Sequence, residues 1–339
     1  MLYISYDEAV DVMARGLEKR IPEETARRFA RVFAENSLDG VYSHGINRYL
    51  RYLSDIDKGL CDPSVTEAEK VSGFGALEAW DAHCGIGPLM ADQMTDRAVE
   101  LAKEHGIACV ALRNNSHWLR AGRYGLRMAE AGMAGLCFTN TCMNLSPWGA
   151  MQPAIGNNPF CMALPRKNGP LLLDMAVSQY AYGKLELMAQ QGKMLDEPCG
   201  YDSEGNETCD PKKIIESGLM VPMAKWKGNA LSIMLDLTAS MLSLGRTTLS
   251  IGLPEAGERG VSQVFIAINP RALGEGEEAE RQMEETIAFL GSLAPRKGDT
   301  GIHAPGLNRE KTRRNNETKG IPVEEETWLK IVKSAGLSG

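Results

Sequence analysis

The sequence predicts an α/β protein in which a sheet-bearing middle follows a helical lobe. Three observations carry this. Apolar runs of strand length alternate with helical patterns across residues 76–272, helical spacing fills much of 1–75, and helical patterns return in 273–339. At the N-terminus, Ser5-x-x-Glu8 forms a capping box ahead of Ala9, Val10, Met13 and Leu17, an apolar stripe at helical spacing. Pro22 opens a second helix that turns Ala26, Phe29, Ala30 and Phe33 inward, and SHGINRYLRYL begins a third near Gly45. Pro88 starts the helix PLMADQMTDRAVELAKEH, which Gly106 stops. IACVAL then reads as a buried strand, followed by a helix around 119–131 and the strand GLCFTNT, with further strands at PLLLDMAV and VFIAIN. LDEPCGYDSEGNETCDP is turn-rich, a surface loop or short hairpin. Near the end, 276–293 and 322–335 read as helices, and LNREKTRRNNETK as a basic, polar loop between them. There is no internal repeat.

At 339 residues two lobes are expected, enough chain to bury a core without disulfides. The net charge of -7 argues against nucleic acid or a membrane surface as the main partner, since both need a basic face. Anionic small molecules stay open, because they need only a local cluster of cations. The first twenty residues lack the basic-then-apolar plan of a signal peptide, and no apolar run approaches the ~20 residues that span a bilayer. The eight cysteines contain no C-x-x-C pair and several lie in apolar stretches, so they read as buried thiols of a reducing compartment. The expectation is a cytoplasmic protein with no metal.

Four segments can carry chemistry. His44 and Arg48 are four residues apart and share a face if a helix starts near Gly45. An imidazolium can give a proton to a developing alkoxide while a guanidinium clamps a carboxylate, which is what a 2-oxo-acid reductase requires. A solvated His–Arg surface would leave the same pattern. His117, in NNSHW just past the strand IACVAL, lies where active-site groups of α/β sheets gather, or is a loop histidine satisfied by its neighbours. His83 and His105 sit at loop or helix-end positions and are not counted as catalytic, and His303 stays unassigned among the five histidines. No G-x-G-x-x-G follows a strand and no G-x-x-x-x-G-K-[ST] occurs, so a Rossmann or P-loop site is not expected. Lys225-Trp226-Lys227-Gly228 instead precedes the helical stretch ALSIMLDLTASMLSL, where free amides and two lysines can seat a pyrophosphate; a solvated basic helix start reads equally well. Finally, PLLLDMAVSQYAYGK runs out into Asp174, Ser178 and Lys184, groups able to hold ribose hydroxyls or a carboxamide, although a turn-forming aspartate is the commoner explanation.

Taken together these segments resemble the non-Rossmann malate/L-lactate dehydrogenase family, which also holds sulfolactate, ureidoglycolate and 2,3-diketo-L-gulonate enzymes. The markers are DGVYSHGINR, GIGPLMADQM, EHGIACVALRNNSHW, PWGA at 147–150, IGNNPF, LLLDMAVS, YGKLE, MAKWKGNALSIMLD and APGLN, in order along nearly the whole chain. The wording GVYSHGINR, SHW, SPWGA and KWKG is nearest the diketogulonate branch, while Ser116 and the stretch TNTCMNLSPWGA depart from the usual pattern. The resemblance implies a mixed, mainly antiparallel sheet, a helical lobe built from both chain ends, and a homodimer with the cofactor near the subunit interface. It implies reduction of a 2-oxo acid, 2,3-diketo-L-gulonate, with NADH, NADP being the alternative cofactor. Malate, lactate or ureidoglycolate oxidoreduction is the alternative activity, and a non-catalytic binding protein the remote one. By residue it implies His44 as proton donor, Arg48 on the substrate carboxylate, and His117 as acid/base. Cofactor contacts fall on Pro170, Leu171, Leu172, Leu173, Asp174, Met175 and Ala176, then Ser178, Lys184, Trp226, Lys227, Gly306, Leu307 and Asn308. Thr141 and Trp148 border the substrate.

Overall fold

Ser5 caps the first helix as its spacing requires: its hydroxyl accepts the Glu8 amide at 3.2 Å, satisfying a donor the helix cannot. In the computed structural model, which describes residues 1–254, 257–274, 276–299, 301–302 and 304–337, this helix is α1 (Tyr6–Leu17), preceded by β1 (Leu2–Ile4). His303 falls outside the described residues. Helix α2 (Glu23–Leu38) buries Ala26, Phe29, Ala30 and Phe33 as its stripe predicts. The third helix starts later than expected. Two 3-10 turns, Tyr42–His44 and Ile46–Arg48, come first, and α3 (Tyr49–Asp57) begins only at Tyr49. Phe29, Phe33, Tyr49 and Tyr52 pack ring against ring, with centroids 4.7 to 6.0 Å apart.

The sheet is made by β2 (Glu69–Phe74), β3 (Leu77–Asp81), β4 (Ile107–Ser116), β5 (Ala134–Thr139), β6 (Phe160–Leu164) and β7 (Leu171–Met175), with one later strand. Helix α4 (Gly87–His105) crosses from β3 to β4, and α5 (Ala121–Glu130) joins β4 to β5. A peripheral unit follows: α6 (Tyr182–Gln190), the hairpin β8 (Gly200–Tyr201) and β9 (Glu207–Thr208), and α7 (Pro211–Ser217). Then come α8 (Trp226–Ser243), the short α9 (Thr248–Ile251) and the last strand of the large sheet, β10 (Arg259–Ile268). The strand order is β2-β3-β4-β10-β5-β6-β7, seven strands in all. Only β3 and β4 run parallel, the pair that a crossover helix joins; the other pairs are antiparallel. Helices α4 and α5 cover one face around Met94, Tyr124 and Phe265, while α8 covers the other through Leu235 and Ala239.

The chain closes with α10 (Glu277–Ser292), α11 (Leu307–Lys319), β11 (Ile321–Val323) and α12 (Glu325–Ser334). Strand β11 pairs with β1, and Trp328 and Ile331 of α12 join the core of α1 and α2, so both chain ends build the helical lobe. Strand β2 belongs to the large sheet although it lies within the 1–75 stretch assigned to that lobe. One expectation is corrected here: LNREKTRRNNETK is a helix, not a loop. It has no apolar stripe to betray it. Its docking is polar, through Asn316, which donates to the Ser37 and Leu38 carbonyls at 3.1 and 2.9 Å. Among the described residues no helix is long and apolar enough to cross a membrane.

Candidate active site

The turn holding His44 is pinned from the C-terminal end of α2. Asn36 Nδ2 donates to the His44 carbonyl at 2.9 Å, and Ser37 Oγ accepts the Ile46 amide at 2.8 Å. Gly45 permits this closeness, since a Cβ there would lie 2.0 Å from Ser37 Oγ. Although the segment is not α-helical, it delivers His44 and Arg48 to one place. The His44 ring stacks on His117 at 5.8 Å between centroids and 12° between planes. Ser43 Oγ lies 3.0 Å from His44 Nδ1.

His117 sits just past the end of β4. Its Nδ1 accepts the Leu119 amide at 3.0 Å, so the neutral ring carries its proton on Nε2. That nitrogen is 3.6 Å from Glu258 Oε2. Burial, then the Arg48 charge, lowers the His44 pKa to about 4, with Asp174 acting the other way. Burial, Arg48 and His44 hold His117 well below the usual histidine range. Burial beside a guanidinium thus favours the neutral form of both rings in the free protein, and the imidazolium expected of the donor has to form as substrate binds. Burial and Arg51 lower the Arg48 pKa, and its Nε is buried without a hydrogen-bond partner. An unpartnered guanidinium edge invites a carboxylate.

Glu258, directly before β10, completes the site and was missed in the sequence. Burial pushes its carboxyl above the usual range, while Arg48, Arg51 and a hydrogen bond from the Cys142 amide pull it back. A lone glutamate before a strand carries no motif, and its position ahead of β10 was the one available signal. A cavity of about 430 Å³ opens here, its wall including Arg48, Arg51, Asp55, Lys58, His117 and Glu258. A larger one, about 820 Å³, lies between α2, α5 and α11, but it contains neither histidine. Its arginines are mostly spoken for: Arg309 and Arg313 bind Asp39 at 3.1 and 2.9 Å, and Arg123 binds Asp92 at 2.9 Å. Helix α11 thus holds Arg309 and Arg313 against the end of α2, while Arg314 is exposed beside Glu310 on the same helix.

The expected cofactor segments converge. Leu171 to Met175 form β7, with Pro170 before and Ala176 after. The Leu172 amide donates to the Pro305 carbonyl at 3.2 Å. Gly306, at φ +86, packs so tightly that a Cβ would lie 2.8 Å from the Leu172 nitrogen, which sets Leu307 and Asn308 at the start of α11 beside β7. Beyond β7, the Met223 amide donates to the Val177 carbonyl at 2.8 Å, drawing the Lys225 turn alongside. Ala224 and Lys225 adopt φ of 49° and 60°, strained values for residues with a Cβ. At the first turn of α8 the Trp226 amide has no side-chain cap, the Lys227 amide donates to the Ala224 carbonyl at 3.3 Å, and the Ser178 hydroxyl is buried without a partner. The uncapped helix start and the unpartnered Ser178 hydroxyl are groups that would suit a dinucleotide phosphate. Asp174 is less available than expected, since Oδ2 accepts Arg120 Nε at 2.9 Å. Lys184 is exposed, its ammonium 4.2 Å from the Tyr180 ring centroid. Trp148 meets the α8 start: its amide donates to Asn229 Oδ1 at 3.0 Å and Lys225 Nζ is 5.3 Å from its ring centroid. Thr141 is buried, its hydroxyl 3.1 Å from Asn157 Oδ1, beside the Cys142 amide that holds Glu258.

A family model described as malate/L-lactate dehydrogenase matches residues 4–332. The chain is 38% identical over 330 residues to the 2,3-diketo-L-gulonate reductase of Haemophilus influenzae, covering 97% of this chain and 98% of the relative. It is 39% identical over 316 residues to that of Pasteurella multocida, covering 93% and 94%. The solved malate dehydrogenase of Pyrococcus horikoshii superposes with a TM-score of 0.88 at 27% identity, covering 100% of this chain and 97% of that one.

Proposed function

The chain belongs to the malate/L-lactate dehydrogenase family, and from that premise we propose that it reduces 2,3-diketo-L-gulonate to 3-keto-L-gulonate with NADH. Membership makes it an oxidoreductase and implies a nicotinamide cofactor. The observation that carries the reading is the buried, unpartnered Arg48 Nε in the cavity that His117 lines, with the His44 ring stacked on His117. Arg48 takes the C1 carboxylate and so sets the neighbouring C2 carbonyl against the imidazoles. When bound, the nicotinamide supplies the hydride that C2 receives. His44, charged in the substrate complex, gives its proton to the C2 oxygen, which completes the alcohol and leaves the imidazole neutral.

His44 is favoured over His117 because the Leu119 amide occupies His117 Nδ1. Protonating that nitrogen would break the bond and set two donors against each other. His44 has the smaller penalty, with Asp174 favouring its charged form. A substrate carboxylate on Arg48 offsets the guanidinium and raises the His44 pKa as the complex forms. NADH is favoured over NADPH because Asp39 already engages Arg309 and Arg313, leaving Arg314 as the one exposed arginine of α11. We further propose a cytoplasmic homodimer, with the uncovered apolar face of α8 as part of its interface. His44→Ala should lower turnover by about 100- to 10,000-fold while NADH binding, read by fluorescence, changes little. A near-wild-type rate would move the role to His117.

A further inference from the structure

Glu258 has no part in the proton transfer, yet it stands in the wall of the reacting cavity. Its carboxylate is 3.6 Å from His117 Nε2, its side chain is 19% exposed, and the Cys142 amide binds it from behind. The cavity holds charges of both signs, but at different depths. Arg51 and Lys58 are exposed at the rim, where water screens them, while Asp55 and Glu258 are partly buried alongside Arg48 and His117. Once a substrate carboxylate occupies Arg48, the inner charges left on the wall are two acids. A wall of acceptors favours a ligand rich in hydroxyl donors and opposes one that brings a second anion.

We propose that Glu258 is a specificity-determining residue: its carboxylate accepts hydrogen bonds from the hydroxyls of a polyhydroxy acid and excludes dicarboxylic acids. This rests on the proposed reduction of a sugar acid. It gives the cavity a direction, with the carboxylate end on Arg48 and the hydroxylated end on Glu258. A site built to bind hydroxyls rejects ligands that leave its buried acceptor unpaired, which adds to the charge repulsion.

The test is calorimetric titration of the NADH-saturated protein with L-gulonate, a polyhydroxy monocarboxylate, and with L-malate, a dicarboxylate. Wild type is expected to bind L-gulonate more tightly. Glu258→Gln, which keeps the shape but drops the charge, should narrow that ratio at least about tenfold, with L-malate binding tighter than to wild type. Glu258→Asp, which keeps the charge, should preserve the exclusion of L-malate and supplies the test if the glutamine variant does not fold. An unchanged ratio in Glu258→Gln, an equal loss for both acids, or no preference for L-gulonate in wild type would overturn the proposal. Turnover of 2,3-diketo-L-gulonate is read separately. Its absence would sink the proposed substrate, and the gulonate-to-malate ratio would still decide the role of Glu258.

Discussion

His44 and His117 lie face to face, and what separates them is the partner of one nitrogen. The Leu119 amide on His117 Nδ1 fixes that ring in one tautomer, whereas His44 Nδ1 has only the rotatable Ser43 hydroxyl. This difference has a kinetic sign. With the free-protein His44 pKa lowered to about 4, kcat/KM for carbonyl reduction should fall as pH rises from 5 to 8. The kcat profile, which reports the bound complex, should break at higher pH because the substrate carboxylate offsets Arg48. A bell centred near neutrality for kcat/KM, unchanged in His44→Ala, would contradict this. The same shift bears on stability. A histidine whose folded pKa is lowered contributes stability above its unfolded pKa of about 6.5, lost as pH falls toward the folded value. The three residues were legible because a motif places them, and Glu258 was not, because its partners Arg48, His117 and Cys142 come from three distant segments.

At the scale of elements, the informative case is α11. A sequence without an apolar stripe reads as a loop, and this helix forms because its polar residues have fixed partners. Asp39, at the end of α2, binds Arg120 at 2.8 Å, Arg309 at 3.1 Å and Arg313 at 2.9 Å. Burial opposes ionisation of its carboxyl, but the three arginines outweigh it and hold the pKa below the usual carboxylate range. Its stabilisation is therefore present above the unfolded pKa and lost as pH falls through the folded one. Asp39→Asn would remove the shared partner of these guanidiniums, although Arg120 keeps Asp174 and Arg313 keeps Glu317, and should cost about 1–3 kcal/mol, read as a lower midpoint in urea. It should also weaken NADH binding, because α11 begins at the Gly306–Asn308 turn beside β7. A variant as stable as wild type would show that the cluster is idle. The amphipathic helices and alternating strands were readable because burial writes a period into apolar residues, whereas ion-pair docking writes none.

For the whole molecule, alternation of strands and helices disclosed the class but not the sheet order. A β10 inserted between β4 and β5 follows from long-range pairing that no local pattern encodes. Helix α8 is apolar around much of its circumference: Leu235 and Ala239 are buried in the sheet core with Leu231 and Leu242 packed against it, while Met234, Leu237 and Met241 remain 50% to 68% exposed. Such a face is expected to meet a second copy. Sedimentation should give a dimer, and paired Met234→Glu and Leu237→Glu substitutions should yield monomers; a wild-type monomer would remove the homodimer proposal. The central claim is tested most directly by following nicotinamide absorbance with 2,3-diketo-L-gulonate, pyruvate, oxaloacetate and the ureidoglycolate oxidation product, each with NADH and with NADPH. Fastest loss with 2,3-diketo-L-gulonate and NADH is predicted, and no loss with any of these acids, or a preference for oxaloacetate, would contradict it.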